Sequence, residues 1–227
     1  MIHSLMQTVA DLPALPHALW LSPPERERLA TFHIPKRREE WLLGRWTAKM
    51  LVRQYLAEQE AHAPELYELS VEAGPSGAPE VRIERPALRV ELEGVRLSIS
   101  HSAGVAFCAL DDEGQCVGAD VERIEPRHPA FAGDYFTPAE LHLIAGAPEG
   151  RRDLLITAIW SAKEAALKAL CLGLTVDTRL VECLPGPSSD GWAPVDITLA
   201  AAVPNRRPLA GWWRKQGGYV LTLGTSA

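Results

Sequence analysis

Residues 151–173 read RRDLLITAIWSAKEAALKALCLG, and this stretch decides the fold class. Leu155, Ile159, Ala162, Ala166 and Leu170 recur at the three- and four-residue spacing that lines one face of a helix. The spacing predicts a long helix over 151–173, closed by Gly173. Its apolar stripe packs on protein, which leaves Trp160, Lys163, Glu164, Leu167 and Lys168 along an adjoining face. Just upstream, TPAELHLIAG (137–146) opens with Thr137 as N-cap and Pro138 at the first helical position, a second and shorter helix. Downstream, RLVECL, PVDITLAA, GWWRK and GYVLTLG alternate as strands do.

The first part of the chain repeats that order. SPPERERLAT (22–31) has Ser22 as N-cap and prolines in its first turn, and 36–60 shows helical spacing through Trp41, Leu42, Trp46, Met50, Val52, Tyr55 and Leu56. Gly44 within it permits close approach of a neighbour. LYELSV (66–71), EVRI (80–83) and LRVELEGVRLSI (88–99) read as strands, broken by the turn-rich AGPSGAP (73–79). GVAFCALDD (104–112) and QCVGADVE (115–122) are expected to form an antiparallel hairpin turning at Asp112–Gly114. The order helix, strands, helix, strands predicts an α+β protein of two similar halves, 1–105 and 106–227, related by a pseudo-twofold. Each half is a small antiparallel sheet packed with a long helix.

Composition bounds the function. With 23 Lys+Arg against 29 Asp+Glu the net charge is −6, which argues against a broad nucleic-acid-binding surface. Cys108, Cys116, Cys171 and Cys183 form no CxxC pair and have no His at zinc-ligand spacing, so they read as reduced thiols. No 18 apolar residues run together and no basic stretch precedes an apolar one near residue 1, so the expectation is a cytoplasmic protein without a membrane segment.

Four groups of residues can carry chemistry. Asp120 and Glu122 are two apart in a strand and share one face, where their like charges repel unless a cation separates them. Glu164 and Lys168 are four apart on the long helix, either a weak surface ion pair or the lining of a cleft. Asp120, Glu122 and Glu164 together would offer the hard oxygen ligands that suit Mg²⁺. SISHS (98–102) ends a strand with Ser100 and His101, a turn or a set of donors for a phosphate. Arg26, Arg28, Arg37, Arg38 and Arg45 read by default as a solvated helix face.

SISHS (98–102), VGADVE (117–122), FTPAEL (136–141) and WSAKEAALK (160–168), in this order, resemble the 4'-phosphopantetheinyl transferases of the broad-specificity surfactin-synthetase-activating type. LSPPERERLATF (21–32) and LLGR (42–45) extend the resemblance over nearly the whole chain. The resemblance implies transfer of 4'-phosphopantetheine from coenzyme A to a serine of an acyl or peptidyl carrier protein, by a monomer whose active site lies where the two halves meet. It implies that Asp120, Glu122 and Glu164 hold Mg²⁺ and that Glu164 and Lys168 are catalytic. It also implies that Lys168, Ser100 and His101 contact coenzyme A and that Arg28 and Arg45 lie near its 3'-phosphate. Gly77 and Pro79 match a nucleotide-contacting Gly-Lys-Pro of relatives, but Ala78 replaces the Lys; Glu25 and Leu172 also stand where relatives carry Lys. Two other readings use the same residues: a Mg²⁺-dependent nucleotide pyrophosphatase, and a non-catalytic module that binds carrier proteins.

Overall fold

The computed structural model describes residues 1–59, 64–83, 92–187 and 191–226. The chain divides into two compact units, Met1–Gln115 and Cys116–Ala227, each α+β. The division falls at 115/116 and not near 105, because the strand that follows residue 104 belongs wholly to the first unit.

The first unit carries strand β1 (Ile2–Thr8), helices α1 (Pro23–Ala30) and α2 (Pro35–Glu58), and strands β2 (Leu69–Ala73), β3 (Pro79–Ile83), β4 (Arg96–Ser102) and β5 (Val105–Asp111). Its main sheet has the order β1-β5-β4, all antiparallel, and β2 pairs with β3. Every residue of β5 is buried, and the strand is paired on both edges. α2 lays Ala48, Leu51, Val52 and Leu56 over Leu69, Val71, Leu97, Cys108 and Leu110 to make the core. Gly44 does permit close approach, since a Cβ there would stand 3.2 Å from Ile99 Cγ2. Residues 88–91 of the strand expected over 88–99 lie outside the described residues; the described strand runs from Arg96.

The second unit carries β6 (Val117–Arg123), α3 (Phe131–Tyr135), α4 (Pro138–Ala145), α5 (Glu149–Ala169), and β7 (Val181–Pro185), β8 (Ala193–Leu199), β9 (Leu209–Gln216) and β10 (Tyr219–Ser226). The sheet order is β6-β10-β9-β8-β7. α5 packs Ala158, Ala162, Ala166, Leu167 and Leu170 on Val181, Cys183, Val195, Trp213 and Val220. Small residues on this stripe let the helix lie close to the sheet.

Two expectations change. The hairpin between 104–112 and 115–122 does not exist: β5 pairs with β1 and β4, whereas β6 pairs with β10 in the other sheet. The hairpin in this region is β4–β5, turned by Ala103 (φ 47) and Gly104 (φ 81), and two positive φ values are what a two-residue type I′ turn needs. The long helix also stops at Ala169 and not at Gly173. Cys171 takes the left-handed conformation (φ 55), its N–H donates to the Lys168 carbonyl (2.9 Å), and Leu172 N–H reaches back to the Leu167 carbonyl (3.0 Å). That pair of bonds is a Schellman cap, with a cysteine in the place that glycine usually takes.

Candidate active site

In the second unit the acids of β6 lie beneath α5. Gly118 makes this possible: a Cβ on it would stand 1.9 Å from the Ala165 carbonyl oxygen and 2.7 Å from Ala169 N. Gly224 on the neighbouring strand has the same close view of Ala165, at 3.3 Å. With the helix this near, Asp120 and Glu122 on the strand come within electrostatic reach of Glu164 and Lys168 on the helix.

Asp120 is only 2% exposed. One of its oxygens accepts from Lys168 Nζ (2.7 Å) and the other from the Ser161 hydroxyl (2.7 Å). Thr222, paired with Asp120 across β10, completes the network: its hydroxyl lies 2.8 Å from Ser161 Oγ and donates to the Ser161 carbonyl (2.9 Å). Lys168 Nζ also donates to the Ala119 carbonyl (3.0 Å). Glu122 accepts from Arg127 (2.8 Å), whose guanidinium lies over the Phe131 ring, 5.1 Å from Trp160 in an edge-on pair. Burial raises the Glu122 carboxyl above its ordinary value, and Asp120 adds to the rise. Glu164 is raised to about 7, first by burial and then by the Asp120 charge; Lys168 pulls the other way. A carboxyl poised near neutrality has the protonation balance of a general base.

Of the two readings of Glu164 and Lys168, the surface ion pair gives way, since Lys168 reaches across to Asp120 on the strand. Among the described residues, no three His, Cys, Asp or Glu side chains are gathered as a ready set of metal ligands. The three expected ligands share one electrostatic neighbourhood, but Asp120 is turned to Lys168 and Glu122 to Arg127.

The first unit holds a separate cavity of about 260 Å³ lined by Trp41, Gly44, Arg45, Ala73, Gly77, Pro79, Ile99 and His101. Four of the residues expected to bind the nucleotide meet there: Arg45, Gly77, Pro79 and His101. The Arg45 guanidinium stacks on Trp41 (4.9 Å), Trp41 meets Phe32 (5.5 Å), and Phe32 carries Arg28 on its ring (5.1 Å). Arg28 and Arg45 are thus the two ends of one cation–aromatic ladder. Ser100 is not on this wall, because strand alternation turns it away from the face of Ile99 and His101. The His101 imidazole lies 3.9 Å from Glu40, an acid next to the cavity wall that the sequence did not single out.

Residues 116–220 match the family model of the 4'-phosphopantetheinyl transferase superfamily. The matched stretch lies wholly within the second unit. The chain is 27% identical over 156 residues, 67% of its length, to 4'-phosphopantetheinyl transferase HetI of Nostoc sp.. It is 27% identical over 127 residues, 56% of its length, to 4'-phosphopantetheinyl transferase psf-1 of Bacillus pumilus. These stretches cover 60% of the first relative and 49% of the second, so the chain spans less than two thirds of the relatives it matches. Among solved structures it is similar to a coenzyme A complex of an ACPS from Chronobacterium ammoniagenes, with TM-score 0.38 and 20% identity, covering 49% of this chain and 96% of that one.

Every acid and the lysine singled out in the second unit lie in the phosphopantetheinyl transferase match. Ser161, Thr222 and Arg127, which hold those acids in place, were not anticipated. Ser161 and Thr222 look like ordinary helix and strand residues in the sequence, and only the pairing of β6 with β10 under α5 brings them together. Among the described residues no helix is long and apolar enough to cross a membrane.

Proposed function

We propose that the protein transfers 4'-phosphopantetheine from coenzyme A to a serine hydroxyl of an acyl or peptidyl carrier protein. The observation that carries this reading is the Glu164 carboxyl, raised to about 7 beside Asp120, Glu122 and Lys168 within the stretch that matches the superfamily. In the proposed step the carrier serine oxygen forms a bond to the phosphorus that bears the pantetheine. The bond from that phosphorus to the bridging pyrophosphate oxygen breaks, and its electron pair leaves with 3',5'-ADP. Glu164 takes the serine proton. Lys168, with 27% of its side chain exposed, faces the charge that builds on the departing oxygen.

The donor set suits a hard divalent cation: three carboxylates with oxygen atoms alone, in which the Asp120 charge raises both Glu122 and Glu164. Asp120, Glu122 and Glu164 would hold Mg²⁺, and when bound it supplies neutralisation of pyrophosphate charge. Arg45, His101 and the Gly77–Pro79 turn would take the nucleotide end in the first unit's cavity. A cytoplasmic monomer acting on a cytoplasmic carrier is the companion reading.

Incubating the protein with coenzyme A, Mg²⁺ and an apo carrier protein tests this by two readouts, carrier mass and released 3',5'-ADP. The expected result is 3',5'-ADP released only with carrier, together with a carrier heavier by one phosphopantetheine. Release without carrier would replace the reading with a pyrophosphatase. No release in either arm would leave a binding module.

A further inference from the structure

Glu140 and Lys163 lie outside the chemistry described above, yet both are wholly buried in the second unit. Glu140 is the third residue of α4 and closes a capping box with Thr137, accepting the Thr137 N–H (2.7 Å) with one oxygen. Its other oxygen accepts the Cys183 N–H of β7 (2.7 Å) and pairs with Lys163 Nζ (2.9 Å). Lys163 Nζ in turn donates to the carbonyls of Thr178 (2.9 Å) and Val181 (2.5 Å). All three ammonium hydrogens have an acceptor, and both carboxylate oxygens are used.

The first unit contains a closely similar arrangement. Glu25, third in α1, closes a capping box with Ser22 and accepts its N–H (2.8 Å). Its other oxygen accepts the Val71 N–H of β2 (3.0 Å), whereas Lys49 of α2 pairs with the oxygen that takes the Ser22 N–H (2.5 Å) and donates to the carbonyls of Trp20 (2.6 Å) and Leu66 (2.9 Å). The sequences at the two places are SPPE (22–25) with WTAK (46–49) and TPAE (137–140) with WSAK (160–163). An ion pair that is expensive to bury, built twice from the same residue types on a capping-box glutamate, is a constraint on geometry more than a source of stability.

We infer that Glu140 and Lys163 are positioning residues for the candidate reactive helix: the buried pair fixes the rotation and height of α5, and so the placement of Glu164 and Lys168. Lys163 directly precedes Glu164, and its three bonds hold the helix from the side away from Asp120. Ser161 holds the same turn from the other side through Asp120 and Thr222. With α5 fixed at both sides, Glu164 has no freedom to swing except by its own rotamers. The catalytic part of this inference rests on the proposed transferase reading; the geometric part does not.

Three variants separate positioning from bulk stability. Lys163→Met leaves Glu140 charged and unpaired, and its melting temperature should fall. Lys163→Met combined with Glu140→Gln removes both charges, and removing a buried pair together is often near neutral, so the melting temperature should largely return. Positioning predicts that kcat of the double variant stays about 10- to 100-fold low while KM for coenzyme A moves little. Glu140→Asp keeps the charges and shortens one arm, and serves if the double variant does not fold. A substrate-free readout accompanies both: the Trp160 indole resonance, whose ring meets Phe131 and Tyr135 edge-on, should shift when α5 turns. Recovery of kcat in step with melting temperature, with Trp160 unmoved in the folded variants, would overturn the inference. If the wild-type protein transfers nothing to a carrier, the proposed function falls, and the Trp160 shift alone still decides the positioning role.

Discussion

Gly118 sits so tightly under Ala165 that its missing methyl group would lie 1.9 Å from a backbone oxygen. Neither atom belongs to a flexible side chain, so the helix or the strand must move if the methyl is added. Gly118→Ala should therefore lower stability by about 1–3 kcal/mol, the usual range for overpacking. Its effect on transfer should exceed that loss, because Asp120 and Glu164 separate as the helix lifts. Gly133→Ala, in α3 with nothing near its added methyl, is the control and should be neutral or slightly stabilising. Urea unfolding and turnover, measured on both, check the pair.

Glu164 makes the metal-free protein sensitive to pH in a definite direction. Its carboxyl is raised from 4.5 to about 7, so the folded state holds a proton over a range where the unfolded chain has released it. Stability should fall as pH rises from about 4.5 to 7, with the slope of one proton, and level off above that window. Glu164→Gln should flatten this part of the curve. Chemical denaturation at closely spaced pH values, with a chelator present, gives the answer; an unchanged slope in the variant would assign the proton elsewhere.

Lys168 is the cation of a nearly buried acid. Lys168→Ala leaves Asp120 with the Ser161 hydroxyl but without its charged partner, so the variant should lose about 1–3 kcal/mol of stability. Turnover should fall by about 100-fold, the scale at which loss of one electrostatic stabiliser is felt. Lys168→Arg keeps the charge with a planar head and should recover stability more than turnover. Wild-type turnover in Lys168→Ala would confine the residue to holding Asp120.

Arg45 lines the first unit's cavity and is fixed by stacking on Trp41. A charge-assisted bond to a phosphate is worth about 1.5–3 kcal/mol. Arg45→Ala should weaken coenzyme A binding more than it weakens 3'-dephospho-coenzyme A binding, as read by calorimetry. Equal losses would remove Arg45 from contact with the 3'-phosphate.

What the sequence revealed was local. Both short helices start where Ser22 and Thr137 precede proline and a glutamate, because a capping box is written in four consecutive residues. The carboxylates and Lys168 were legible from residue type and spacing together with the family resemblance. Strand pairing was not. The run through Asp112–Gly114 has turn chemistry, and Gly114 does take a positive φ, yet the turn joins two units and not two partners. β5 finds its neighbours β1 and β4 through burial on both faces, which no adjacent signal reports. The end of the long helix was misjudged because glycine is the usual left-handed residue, whereas Cys171 takes that conformation here. The paired SPPE/WTAK and TPAE/WSAK segments are too short to stand out from background, and their kinship emerges only from shared hydrogen bonds.

That kinship also divides labour between folding and chemistry. Met50 follows Lys49 where Glu164 follows Lys163, and Gln54 stands where Lys168 does, so one copy of the motif is charged on its working face and the other is not. The glutamate and lysine of the buried pair are the same in both copies, while the residues beside them differ. One buried frame thus serves two helices of different surface chemistry, so substitutions beside the lysine can change what a helix presents without touching what anchors it.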